Sequence, residues 1–89
     1  MANSKIVTYD LCAPERNYSE LYNKIKAYGV WAHICGSTWF ISTSDTCSTV
    51  RDNLKSVLDK DDRLFVAELN GTAAWTNVLC NSDYLKKNL

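Results

Sequence analysis

The stretch Lys-Ile-Val-Thr-Tyr-Asp-Leu, residues 5–11, decides the fold of this 89-residue chain. Its β-branched and aromatic residues predict a β-strand over Lys5–Asp10. Side chains alternate between the two faces of a strand, so Val7 and Tyr9 share one face and Asp10 lies on the other. A carboxylate at the end of a buried strand is costly without a partner. Asp10 is therefore expected to meet a cation, a hydrogen-bond donor, a metal or a substrate.

The apolar spacing and turn residues after this strand predict five further elements. We expect a helix over 18–28, strands over 30–35 and 38–43, a helix over 45–59 and a strand over 63–69. The order β-α-β-β-α-β predicts an α+β, ferredoxin-like domain over residues 1–71, with a four-stranded antiparallel sheet and both helices on one face. Residues 72–89 follow as a C-terminal tail.

Composition and cysteine spacing narrow the class of protein. Hydrophobic residues make up 46% of the chain, which is too many for a disordered protein, and no apolar run is long enough to span a membrane. The N-terminus carries no secretory signal, so we expect a cytoplasmic protein. The four cysteines show no Cys-x-x-Cys spacing, and free thiols are favoured over a zinc site. Ten basic residues balance ten acidic ones, which disfavours binding to nucleic acid by charge alone.

Strand alternation also predicts what each sheet face carries. It places Phe65 beneath the helices, and Trp31 and His33 beside Asp10 on the second face, together with Leu64 and Val66. That second face is too apolar to be left in water. We expect a second copy of the chain to cover it, since most soluble oligomers are two-fold dimers, with the tail at the dimer interface. The alternative is a tail that folds back over its own sheet.

Asp10 and His33 each have two interpretations. A two-fold axis near Asp10 would bring two carboxylates together, and a divalent cation would relieve their repulsion. The alternative for Asp10 is an ion pair with Arg63 at the start of the last strand. His33 is either a general base, because histidine exchanges protons near neutral pH, or a packing residue satisfied by one hydrogen bond.

Four short motifs occur in order along the chain: Tyr9-Asp10-Leu11, Tyr28-Gly29, Ser37-Thr38-Trp39-Phe40, and Asp59-Lys60-Asp61-Asp62-Arg63-Leu64. Together they resemble the SinR-like branch of the CRISPR-associated Cas-two family, over about residues 5–75. The resemblance implies a ferredoxin-like homodimer that is a small metal-dependent nuclease or a structural nucleic-acid-binding part of the spacer-acquisition complex. Relatives also occur as toxin-type ribonucleases.

The resemblance further implies that the family's metal-binding aspartate falls on Asp10, with Mg²⁺ or Mn²⁺ as the ion. Nuclease members often carry a run of basic residues after this aspartate. Here the segment Cys12-Ala-Pro-Glu-Arg16 has only one basic residue, Arg16. The chain therefore departs from the nuclease pattern in the segment after Asp10.

Two functions follow as expectations. The first is a metal-dependent endonuclease that cleaves RNA or DNA, with Asp10 as metal ligand and catalytic residue. In a toxin-type ribonuclease of the same fold, the catalytic residue would be His33 as general base. The second is a non-catalytic dimeric module that binds protein or nucleic acid as a scaffold, inhibitor or regulator. The contact residues expected for a nucleic acid or protein partner are Arg16, Trp31, Arg63 and Trp75.

Overall fold

The computed structural model of this chain describes residues 3–12, 18–70 and 72–88. The strands are β1 (Asn3–Asp10), β2 (Val30–Cys35), β3 (Thr38–Thr43) and β4 (Arg63–Glu68), and the helices are α1 (Ser19–Lys26), α2 (Cys47–Lys55) and α3 (Ser82–Asn88). The strands form one sheet in the order β2-β3-β1-β4, with every neighbouring pair antiparallel. This confirms the predicted α+β, ferredoxin-like arrangement.

Helix boundaries follow local capping signals. Gly29 takes a left-handed backbone conformation just after α1, with φ of 86°, which glycine adopts without a Cβ clash. The Thr46 side chain caps α2 by accepting a hydrogen bond from the backbone N–H of Thr49. Because Thr46 is the cap, α2 begins two residues later than the predicted start at residue 45.

The first hydrophobic core lies between the sheet and helices α1 and α2. The helices contribute fully buried residues at i and i+4 spacing, Leu21 with Ile25 and Val50 with Leu54. Val7 and Ile41 meet them from the two central strands. Full burial of an aliphatic side chain stabilises a fold by about 1.5–3 kcal/mol, so these residues fix the helices against β1 and β3.

Strand register corrects the predicted faces of β2 and β4. Trp31 lies opposite Ile41, His33 opposite Trp39, and Val66 opposite Val7, and paired residues share a face. Trp31, His33, Leu64 and Val66 therefore lie on the helix face, and Phe65 lies on the second face, so the prediction for these residues was wrong. The outer strands carry apolar residues on both faces, so the sequence pattern alone does not fix which side chains face the helices. A shift of one residue in the assumed alternation moves every side chain of the strand to the other face of the sheet.

The C-terminal tail packs on the second face of its own sheet. Leu85 of α3 is 1% exposed and joins Ala32 and Phe40 in a second buried cluster. The backbone N–H of Leu79 donates to the carbonyl of Ile34 at 2.9 Å. The tail thus covers the β2–β3 half of this face and also reaches β1, where the Ser4 hydroxyl donates to the Asn88 carbonyl at 3.0 Å. This is the second of the two arrangements considered above. None of the helices within residues 3–12, 18–70 and 72–88 has the length and hydropathy to cross a bilayer.

Candidate functional site

Beyond the tail, at the Asp10 end of β1, four side chains of the second face form what we call the β1–β4 patch: Thr8, Asp10, Arg63 and Phe65. Alternation along β1 puts Thr8 and Asp10 on this face. The antiparallel register then sets Asp10 opposite Arg63 and Thr8 opposite Phe65. An open groove of about 210 Å³ follows the patch along the two strands.

Asp10 and Arg63 form an ion pair at the surface. Nη1 of Arg63 donates to Oδ2 of Asp10 at 2.9 Å, and the two side chains are 81% and 71% exposed respectively. Exposed pairs of this kind contribute about 0–1 kcal/mol, because water screens both charges. The pair therefore stabilises the fold little, and a ligand can reach either group.

Phe65 places an apolar ring beside this ion pair. The side chain is 61% exposed, and it shares a strand face with Arg63 two residues away. Thr8, opposite Phe65, has its hydroxyl 3.2 Å from the hydroxyl of Thr38 on β3. Sequence reasoning missed Phe65, because the residue was assigned to the helix face.

The structure does not bring His33 or Trp31 to Asp10. The His33 ring stacks on Trp39 with centroids 4.1 Å apart and planes at 8°, and its Nε2 lies 3.2 Å from the carbonyl oxygen of Gly36. The ring centroids of Trp31 and Trp39 are 5.6 Å apart, and the Lys26 ammonium lies 5.2 Å from the centroid of the Trp31 ring. Both residues therefore belong to an aromatic cluster on the helix face, on the opposite side of the sheet from the patch.

Of the predicted contact residues that remain, the one that the structure describes, Trp75, lies away from the patch. Trp75 is half-buried in the tail cluster, and its indole N–H donates to the Ser82 hydroxyl at 3.3 Å. Arg16 lies outside the described residues. Of the predicted site residues that the structure describes, Arg63 is the one that meets Asp10.

A second polar centre, not predicted from the sequence, is Asp62 in the loop before β4. Its carboxylate accepts hydrogen bonds from the backbone N–H of Cys12 at 2.8 Å, the backbone N–H of Asp59 at 2.9 Å and the Tyr18 hydroxyl at 3.2 Å. Burial alone would raise the pKa of Asp62, but these donors and the Cys12 thiol lower it to about 2. Asp62 therefore ties the end of β1 to the start of α1 and to the β4 loop.

Ligand atoms of Cys12, Asp59 and Asp62 lie within 4.8 Å of one another. The hydrogen bond to Asp62 raises the pKa of the Cys12 thiol. Metals bind the thiolate, so this arrangement disfavours the form of cysteine that a metal needs. The cluster is better explained as a loop held by hydrogen bonds.

Asp10 offers a different ligand chemistry. A carboxylate oxygen suits Mg²⁺ or Mn²⁺, which prefer oxygen donors. One chain supplies a single carboxylate at the patch, however, and the guanidinium 2.9 Å away opposes a bound cation. The residues of one chain thus fit such an ion in donor type but not in number, and a second carboxylate is required.

No protein-family model, curated protein or solved structure matches this chain. The resemblance to the Cas-two family stays a prediction from its sequence motifs. A function for this chain is therefore inferred from the chemistry of the β1–β4 patch.

Proposed function

We propose that this chain is a cytoplasmic, homodimeric, Cas-two-like endonuclease that cleaves phosphodiester bonds at the β1–β4 patch with Mg²⁺ or Mn²⁺. One observation supports the proposal above the others. An exposed carboxylate and an exposed guanidinium lie side by side on the part of the sheet that the tail leaves open. Carboxylates hold divalent cations, and guanidinium groups hold phosphates.

Arg63 is the phosphate-binding residue in this proposal. A guanidinium has five N–H donors in a planar fork that matches two phosphate oxygens. One donor, on Nη1, reaches Asp10 in the structure. Because the ion pair is exposed and weak, turning Arg63 from the carboxylate to a phosphate costs little.

Asp10 is the metal ligand, with one carboxylate from each copy of the dimer. When bound, the ion would activate water and stabilise charge on the phosphate. Release of Arg63 to the substrate would leave the two carboxylates free to face each other. The second copy thus supplies the oxygen donor that one chain lacks.

A non-catalytic binding module is the second candidate, and the placement of His33 favours it. The patch holds one carboxylate, already paired with Arg63, while His33 lies on the opposite sheet face. Binding a phosphate chain or an acidic partner needs no general base. Arg63 and Phe65 are sufficient for that role.

The deciding experiment measures cleavage of end-labelled RNA, single-stranded DNA and double-stranded DNA in Mg²⁺ or Mn²⁺. Asp10→Asn keeps the size of the side chain and removes its charge, so we expect cleavage to fall to background. Asp52→Asn is the matched control, since Asp52 is also exposed and ion-paired, to Arg51 at 3.0 Å. It should cleave like the unmodified protein.

Full cleavage by Asp10→Asn would overturn the nuclease assignment. If the unmodified protein binds the oligonucleotides without cleaving them, the binding module is the better description. Circular dichroism of each variant checks that the fold is retained in these comparisons.

A further inference from the structure

The β1–β4 patch also indicates which form of nucleic acid it accepts. We propose that Phe65 is a stacking platform for an unpaired base, so that the substrate is single-stranded. This inference rests on the proposed function and adds a specificity-determining residue to it. It depends on the position of Phe65 relative to Arg63 and on the low charge of the chain.

The spacing along β4 suits one nucleotide. Arg63 and Phe65 point to the same face two residues apart, which separates them by about 7 Å along the strand. A phosphate held by Arg63 therefore leaves the attached base within reach of the Phe65 ring. The ring is 61% exposed in a single copy of the chain, so its face is accessible without a rearrangement of that copy's fold.

The charge of the chain makes stacking the decisive interaction. Proteins that bind nucleic acid mainly by charge neutralise many phosphates and are usually basic. This chain has ten basic and ten acidic residues, and Arg63 is itself paired with Asp10. Long-range attraction to phosphates is therefore weak, and contact between Phe65 and a base must supply specificity.

A duplex does not provide that contact. Its bases are paired and stacked, and exposing one costs a few kcal/mol. Single strands offer their bases freely, and stacking on an aromatic side chain is tolerant of sequence. The patch is consequently expected to select single strands over duplexes without choosing among bases strongly.

Fluorescence anisotropy measures the affinity of the chain for each form of nucleic acid. EDTA is present to remove divalent metal ions, so that the probes are not cleaved. The probes are labelled oligothymidine, the same oligomer with abasic sugars, and its duplex with oligoadenosine. We expect oligothymidine to bind about 5- to 150-fold more tightly than the abasic strand, which corresponds to stacking of one base. Phe65→Leu should abolish this ratio, and Phe65→Tyr should restore it.

Leu79→Ala is the matched control, because Leu79 is a similarly exposed apolar residue, at 66%, in the tail. It should bind each probe like the unmodified protein. Equal affinity for duplex and single strand, or an unchanged ratio in Phe65→Leu, would overturn the stacking role. If Asp10-dependent cleavage persists alongside either result, the nuclease proposal stands and only the stacking inference fails. Absence of binding to every probe would overturn the stacking inference, and the cleavage assay in Mg²⁺ or Mn²⁺ tests the nuclease proposal separately.

Discussion

Lys5 shows how a single residue can combine a core and a surface role. It is 1% exposed on the helix face of β1, yet its ammonium donates to the Thr43 carbonyl at 3.2 Å and lies 3.4 Å from a Glu68 carboxylate oxygen. Glu68 is 54% exposed. The aliphatic stem therefore fills the end of the core while the charge reaches partners at its edge.

Substitution of Lys5 separates these two contributions. Lys5→Met keeps the volume of the stem and leaves Glu68 hydrated, so we expect a change in the free energy of unfolding within about 1.5 kcal/mol. Lys5→Ala leaves a cavity and should destabilise the protein by about 2–5 kcal/mol. Urea denaturation measures both. Equal losses in the two variants would show that the charge, and not the stem, stabilises the fold.

Because the pKa of Asp62 is lowered in the folded chain, we expect the protein to lose stability in acid. Its pKa is lowered from 3.8 to about 2 in the folded chain, so the folded state favours the ionised carboxylate. This contribution is complete above about pH 4 and is lost as the pH falls toward 2. Asp62→Asn should remove this part of the pH dependence and lower stability at neutral pH by about 1–3 kcal/mol.

Thermal unfolding between pH 2 and pH 7 compares Asp62→Asn with Asp61→Asn. Asp61 is an exposed neighbour in the same loop and serves as the control. If Asp62→Asn retains the pH dependence of the unmodified protein, the hydrogen bonds at this loop do not stabilise it.

Among the elements, both strands of the β2–β3 hairpin were predicted with their correct boundaries. The boundaries of α2, and the sheet faces on which the side chains of β2 and β4 lie, were predicted wrongly. Gly36-Ser37 marks an unambiguous turn between two runs of β-forming residues. The segment 42–46 instead offers several possible caps, and Thr46 is the one whose side chain accepts a hydrogen bond from the Thr49 N–H. Strand phase in β2 and β4 is set by register to their neighbours, which no local pattern records.

Docking of α3 on the sheet is tested at Leu85. Truncation by Leu85→Ala removes contacts with Ala32 and Phe40 in a fully buried position, so we expect a loss of about 2–5 kcal/mol. Tyr84→Ala on the same helix is the control, because Tyr84 is 37% exposed and should cost much less. Similar, small losses for both variants would show that the tail is not docked in solution.

At the scale of the whole molecule, the sequence predicted the ferredoxin-like topology but only part of the candidate site. Asp10 stood out as an acid at the end of a strand, and its pairing with Arg63 was one of two alternatives. Phe65 was missed because its face depends on long-range pairing of β4 with β1. The open part of the second face likewise became visible only once the position of the tail was known.

The proposed dimer makes a prediction that links assembly to metal binding. If two Asp10 carboxylates meet at the two-fold axis and each Arg63 turns away from them, their repulsion weakens the dimer and Mg²⁺ strengthens it. Sedimentation should then show a dimer Kd that falls about 5- to 150-fold with saturating Mg²⁺. Asp10→Asn should dimerise without this dependence, whereas Asp52→Asn should retain it. The same Mg²⁺ response in both variants, or a monomer at every concentration, would contradict a metal shared between two copies.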